Sequence, residues 1–67
     1  MISIQINGQL REVPEGLHLA ALLDWLKLPP DRVAVERNRE IVRRDRWEQT
    51  PVAENDSLEI VQFVGGG

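Results

Sequence analysis

The first residues of the chain alternate between apolar and polar. In "ISIQIN", Ile2, Ile4 and Ile6 fall on one side of an extended backbone, with Ser3 and Gln5 on the other. A period of two predicts a half-buried strand. Asn7-Gly8 comes next, a dipeptide that readily takes the positive φ angles of a tight hairpin turn, and "QLREV" reads as the returning strand. Leu10 and Val13 differ in parity there, so a bulge beside the turn is expected to reconcile them. After the break at Pro14-Glu15-Gly16 the period changes. Leu19, Leu22, Leu23 and Leu26 recur at i, i+3, i+4 and i+7, the stripe of a helix laid on a core. Leu17 is placed to staple against Leu22 across the first turn, with His18 at the cap position. Pro29-Pro30 forbids continuation, and the spacing predicts one helix of about three turns.

"RVAVERN" returns to period two, with Val33 and Val35 inward and Ala34 and Glu36 outward. Asn38-Arg39-Glu40 reads as a turn into a short strand at Ile41 and Val42. Residues 43–55 have little periodicity and read as a structured loop with one helical turn near Trp47. Asn55-Asp56 forms the last turn, and "SLEIVQFV" is the final strand. The order is strand, strand, helix, strand, short strand, strand. For such an α+β chain, one helix on one face of a mixed sheet of about five strands is the simplest way to bury the leucine stripe. That order fits a β-grasp fold, in which the last strand runs beside the first in the middle of the sheet. The expected organisation is a β-grasp domain over residues 1–64 and a flexible tail over 65–67.

Composition narrows the function. At 67 residues the chain is one domain near the lower limit of unaided folding. It has no cysteine and one histidine, so no disulfide framework, thiol catalyst or metal site is expected, and no bound cofactor. A net charge of −3 leaves no electrostatic footprint for nucleic acid or an anionic membrane. No apolar run approaches the roughly 20 residues that span a bilayer, and the N-terminus lacks the basic flank of a signal peptide. The expectation is a cytoplasmic protein that is a monomer when free.

The final strand and the glycine tail carry the chemistry. Leu58, Ile60 and Val64 share one parity, and Val61 and Phe63 share the other. Apolar residues on both sides suit a central strand, but one helix covers one sheet face only. An apolar group is therefore left on the open face, either as ordinary surface apolarity or as a docking patch formed by Val61, Phe63 and Val64. Gly65, Gly66 and Gly67 then end the chain. Three glycines at a terminus arise by chance in roughly three chains in ten thousand, although frayed ends are common. Extended, three residues reach about 10–11 Å beyond the strand, and without side chains they enter a narrow slot and leave the terminal carbonyl unhindered. A free carboxylate is ionised at neutral pH and a poor electrophile. To react it must be activated, most simply as an acyl-adenylate made by a partner that consumes ATP.

The stretches "GLHLAALLDWL", "VAVERNREIV" followed by "RRDRW", and "DSLEIVQFVGGG" span nearly the whole chain. In them the chain resembles the ubiquitin-like sulfur carriers, and among these the ThiS family of thiamin thiazole synthesis. It departs from that pattern at Arg43, where a proline is common, and at His18, where Thr or Ser often stands. The resemblance implies that the Gly67 carboxylate is adenylated by a ThiF-like enzyme. Sulfur from a cysteine desulfurase then displaces AMP to leave a thiocarboxylate, and a ThiG-like thiazole synthase accepts the sulfur. The chain would be a co-substrate with no catalytic residue of its own. Two readings compete: a sister carrier (the small subunit of molybdopterin synthase or a ubiquitin-like modifier), and a noncovalent β-grasp interaction module with an inert tail. Elsewhere, Arg37, Arg39, Arg43, Arg44 and Arg46 interleave with Glu36, Glu40, Asp45 and Glu48 and read as a solvated, self-paired surface. Trp25 and Trp47 read as packing residues, at the helix edge and under the long loop.

Overall fold

The computed structural model describes residues 1–63. Strands β1 (Ile2–Ile6) and β2 (Gln9–Val13) form one hairpin, and β3 (Val33–Arg37) and β4 (Glu40–Val42) form another. Strand β5 (Ser57–Gln62) lies between them, in the order β2-β1-β5-β3-β4. It runs parallel to β1 and antiparallel to β3. This is the β-grasp arrangement that the element order predicts. Helix α1 (Leu19–Trp25) covers one face, and short 3-10 turns at Pro30–Arg32 and Arg44–Gln49 complete the elements among the described residues.

Both hairpins close through two residues at positive φ, Asn7 and Gly8 (52° and 81°) and Asn38 and Arg39 (51° and 72°). That pair of angles matches the right-handed twist of the flanking strands. The β1–β2 register runs unbroken from Ile6 opposite Gln9 to Ile2 opposite Val13, so the expected bulge is absent. Leu10 instead lies opposite Gln5 and is 72% exposed. Strand β2 is outermost and buries only Val13, so nothing forces the rest of it to alternate.

Helix α1 has seven residues, shorter than the expected three turns. It stops before the prolines because Lys27 takes φ 62°. The Lys27 N–H then donates to the Asp24 carbonyl (3.0 Å) and the Leu28 N–H to the Leu23 carbonyl (2.9 Å). These two bonds satisfy carbonyls that a helix end leaves open. At the other end His18 is the N-cap, its Nδ1 accepting the Ala21 N–H at 3.1 Å. Leu19, Leu22 and Leu23 are buried against the sheet, with Leu17 and Leu26 packed half-buried beside them. Trp47 is 3% exposed under the long loop, and its indole N–H donates to the Val42 carbonyl at 2.9 Å. Trp25 falls off the buried stripe and is 43% exposed, so it packs less than its expected role requires. The loop is strapped to the helix start by Leu19 N–H to Thr50 C=O (3.0 Å) and Val52 N–H to Leu17 C=O (2.9 Å).

Candidate functional site at the end of the central strand

Strand β5 sorts its side chains as the parity argument requires. Leu58 and Ile60 face the helix and are buried, while Val61 and Phe63 face the open side, 57% and 56% exposed. On that side Val61 sits opposite Ala34 of β3, and Ile41 of β4 is 77% exposed. Together with Glu36 and Glu59, which face each other across β3 and β5, Ala34, Ile41 and Val61 line a shallow groove of about 130 Å³. The open face thus offers a small apolar strip with two carboxylates beside it. Phe63 is held at its root, where its N–H donates to the Arg32 carbonyl at 2.7 Å. The third predicted docking residue, Val64, and the tail residues Gly65, Gly66 and Gly67 lie outside the described residues.

Two features that local sequence patterns did not reveal fix β5 in place. At its start, Asp56 is 5% exposed and its carboxylate gathers four donors. These are Arg37 Nε (2.8 Å) and a second guanidinium nitrogen (3.3 Å), Asn38 Nδ2 (3.2 Å) and the Ala53 N–H (2.8 Å). Burial alone would push this carboxyl's pKa up. The Ala53, Arg37 and Asn38 hydrogen bonds, with the Arg37 charge, outweigh that and hold it below the ordinary aspartate value. Farther along, the last main-chain bond between β1 and β5 is Asn7 N–H to Leu58 C=O at 2.8 Å. Beyond it the Asn7 side chain takes over. Its Oδ1 accepts the Ile60 N–H at 2.7 Å and its Nδ2 donates to the Ile60 carbonyl at 3.0 Å.

The arginine-rich stretch is paired only in part as expected. Arg43 meets Asp45 at 3.7 Å on the surface, a contact of little energetic weight. Arg37 belongs instead to the Asp56 network, and Arg39, Arg44 and Arg46 are exposed. Among the described residues no group of three or more His, Asp or Glu side chains is placed to hold a metal ion. No helix among them is long and apolar enough to cross a membrane.

Against this geometry stand the comparisons with known proteins. The ThiS family model matches residues 4–67. The sulfur carrier protein ThiS of Bacillus subtilis is 49% identical over 65 residues, 96% of this chain and 98% of that protein. The crystal structure of a thiamine biosynthesis protein, ThiS, from Geobacter metallireducens superposes with a TM-score of 0.85 at 33% identity, covering 98% of this chain and 100% of that one. Two thiazole synthases are also similar, from Paramagnetospirillum magneticum (42% identical) and Magnetococcus marinus (38%). In both, 98% of this chain aligns with only 20% of the longer protein, so the chain spans about a fifth of their length. The family model covers more than nine-tenths of the sequence, through its last glycine, and the chain belongs to the ThiS family.

Proposed function

We propose that the chain is a sulfur carrier for thiazole formation in thiamin biosynthesis and that Gly67 bears the sulfur. The observation that carries this reading is the family match running through the terminal glycines, joined to near-complete alignment with a named sulfur carrier. The chemistry is that of an activated carboxylate. A ThiF-like enzyme transfers AMP from ATP to the Gly67 carboxylate, releasing pyrophosphate. A sulfur nucleophile supplied through a cysteine desulfurase adds to the acyl carbon and expels AMP, leaving a terminal thiocarboxylate. A ThiG-like thiazole synthase then takes the sulfur. The two similar thiazole synthases that contain a segment like this chain support that recipient over the molybdopterin branch.

In this scheme the domain is the handle and does no catalysis. The strip formed by Val61, Phe63, Ala34 and Ile41 docks an apolar partner surface, and Glu36 and Glu59 favour basic residues at its rim. Gly65 and Gly66 pass through the narrow entrance to the partner's active site. Dependence on ATP and on an intracellular desulfurase fits work in the cytoplasm.

Appending one residue after Gly67 tests the terminal chemistry. Adenylation, followed as ATP–pyrophosphate exchange with the activating enzyme, should be abolished; exchange that survives the extension removes the mechanism. The intact mass of protein from its own cell should show a fraction heavier by the difference between sulfur and oxygen. Docking is tested separately by Phe63→Asp, which should weaken partner affinity about tenfold or more and leave the fold intact. Unchanged affinity removes the docking role.

A further inference from the structure

Strand β5 outruns its parallel partner. The register pairs Gln5 with Ser57 and Ile6 with Leu58, and then β1 turns away at Asn7 and Gly8. On the other flank β3 stays alongside as far as Val33 opposite Gln62. The main-chain groups of Leu58 and Ile60 point toward β1, because those of Ser57, Glu59, Val61 and Phe63 point toward β3 and its flanking residues. From Ile60 onward the β1 side of β5 therefore has no strand to bond among the described residues.

We propose that Asn7 is a positioning residue for the reactive end of the chain. Its side-chain amide presents one acceptor and one donor, as a strand residue does, and both meet Ile60. Only this orientation of the amide satisfies the Ile60 N–H and C=O together, so the bonds fix which oxygen and nitrogen are which. Ile60 is 8% exposed, and breaking the pair would strand two polar groups of a buried residue. Asn7 is also the first turn residue at positive φ, a conformation that asparagine tolerates better than most residues. One residue thus ends β1, reverses the chain and clamps the strand that leads to Gly67, seven positions after Ile60. The clamp fixes the β1 side of β5 at Ile60, so the activating enzyme meets a carrier whose final strand is already held in place. Loss of the clamp transfers that ordering cost to the binding step.

The inference rests on the carrier reading. Its test uses Asn7→Gly, which keeps the turn and deletes the amide. Amide exchange at pH 7 should accelerate about tenfold at Ile60, with Ile4 and Leu23 unchanged. In ATP-dependent activation with the carrier as varied substrate, KM should rise about five- to tenfold while kcat stays within about twofold. A purely structural role would only lower the folded fraction of the carrier, raising apparent KM by the reciprocal of that fraction with kcat unchanged. KM is therefore expressed per folded carrier, with the folded fraction read by circular dichroism on the same sample, and a purely structural role leaves that value alone. The clamp is overturned by equal acceleration at Ile4 and Leu23, and the positioning role by an unchanged KM. Asn7→Asp keeps the turn and one acceptor but sets an anionic oxygen against the Ile60 carbonyl. It should move KM in the same direction, and wild-type behaviour would overturn the proposal. A wild-type chain that is not activated at all would defeat the carrier reading, and the positioning role with it, while exchange would still report on the clamp.

Discussion

Two asparagine turns flank the central strand, and they hold it differently. Asn7 and Asn38 both open two-residue hairpin turns at nearly the same angle, φ 52° and 51°. Each then spends its side-chain amide on β5. Asn38 works at the start of the strand, where its Oδ1 accepts the Ser57 N–H at 2.9 Å and its backbone N–H donates to the Ser57 carbonyl at 2.8 Å. It is not alone there, since Nδ2 also joins Arg37 and the Ala53 N–H around Asp56. Asn7 works toward the tail, and among the described residues it is the single side chain bonded to the Ile60 backbone. The base of the strand is over-determined; farther along, β3 still holds one flank as far as Gln62, and on the β1 side Ile60 is held by one amide. A strand held by side chains and main chain at its root, and on one flank by a single side chain farther on, suits the carrier role proposed above, in which the terminus would be delivered into another protein.

The sharpest way to break this contrast is to empty the base. Asp56→Ala removes the acceptor for four hydrogen bonds and takes the partner from the half-buried Arg37 guanidinium, Asn38 Nδ2 and the Ala53 N–H. A loss of about 3 kcal/mol in denaturant unfolding is expected, a large fraction of a small domain's stability. Loss below about 1 kcal/mol would mean that the network is not the anchor described.

Acid should do the same more gently. The Asp56 pKa is lower in the folded chain than in the unfolded one. The unfolded state therefore binds more protons in the interval between the two values, and stability there rises with pH. The contribution of Asp56 is full above its unfolded value, near 4, and is lost as pH falls through the folded value. Unfolding free energy measured from pH 6 down to about 2.5 should decline below about pH 4.5, and Asp56→Asn should flatten that decline. An equal slope in the variant would assign the acid sensitivity to other carboxylates.

Asn38→Gly sharpens the comparison between the turns. Glycine keeps the positive φ and deletes the bonds to Ser57 and Asp56, so about 1–2 kcal/mol of global stability should disappear. Exchange should accelerate over the whole sheet, unlike the local opening expected for Asn7→Gly. Identical exchange patterns in the two variants would erase the distinction between root and tip.

Neither amide role could be read from the chain. The Asn-Gly and Asn-Arg pairs signal turns through local geometry, but the groups they clamp lie 53 and 19 residues away, and no periodicity reports such a contact. The helix ran short for a related reason: its end depends on Lys27 at positive φ, where a glycine would have been the visible sign. Leu10 misled because an edge strand with one buried residue carries no enforced alternation. What alternation and the leucine stripe did show was the element order, the central place of β5 and an apolar group left on the open face, which the structure assigns to Val61 and Phe63. Those features arise from burial, the strongest force acting on the pattern.

The smallest effect separates the second residues of the two turns. Gly8 sits at φ 81° without strain, whereas Arg39 holds φ 72° with a full side chain. A left-handed conformation costs a residue with a Cβ about 1–2 kcal/mol, and the Asn38–Asp56 network tolerates it because the flanking backbone is already fixed. Arg39→Gly relieves that strain but adds freedom to the unfolded chain, which returns roughly half of the gain. A net stabilisation of about 0.5 kcal/mol is expected, a rise in Tm of about 2–4 °C. The same substitution should leave the exchange of Ile60 untouched, because Arg39 and the Asn7 clamp act at opposite ends of β5. Destabilisation would show that the Arg39 side chain makes a contact worth more than its strain, and that the two turns differ in a further way.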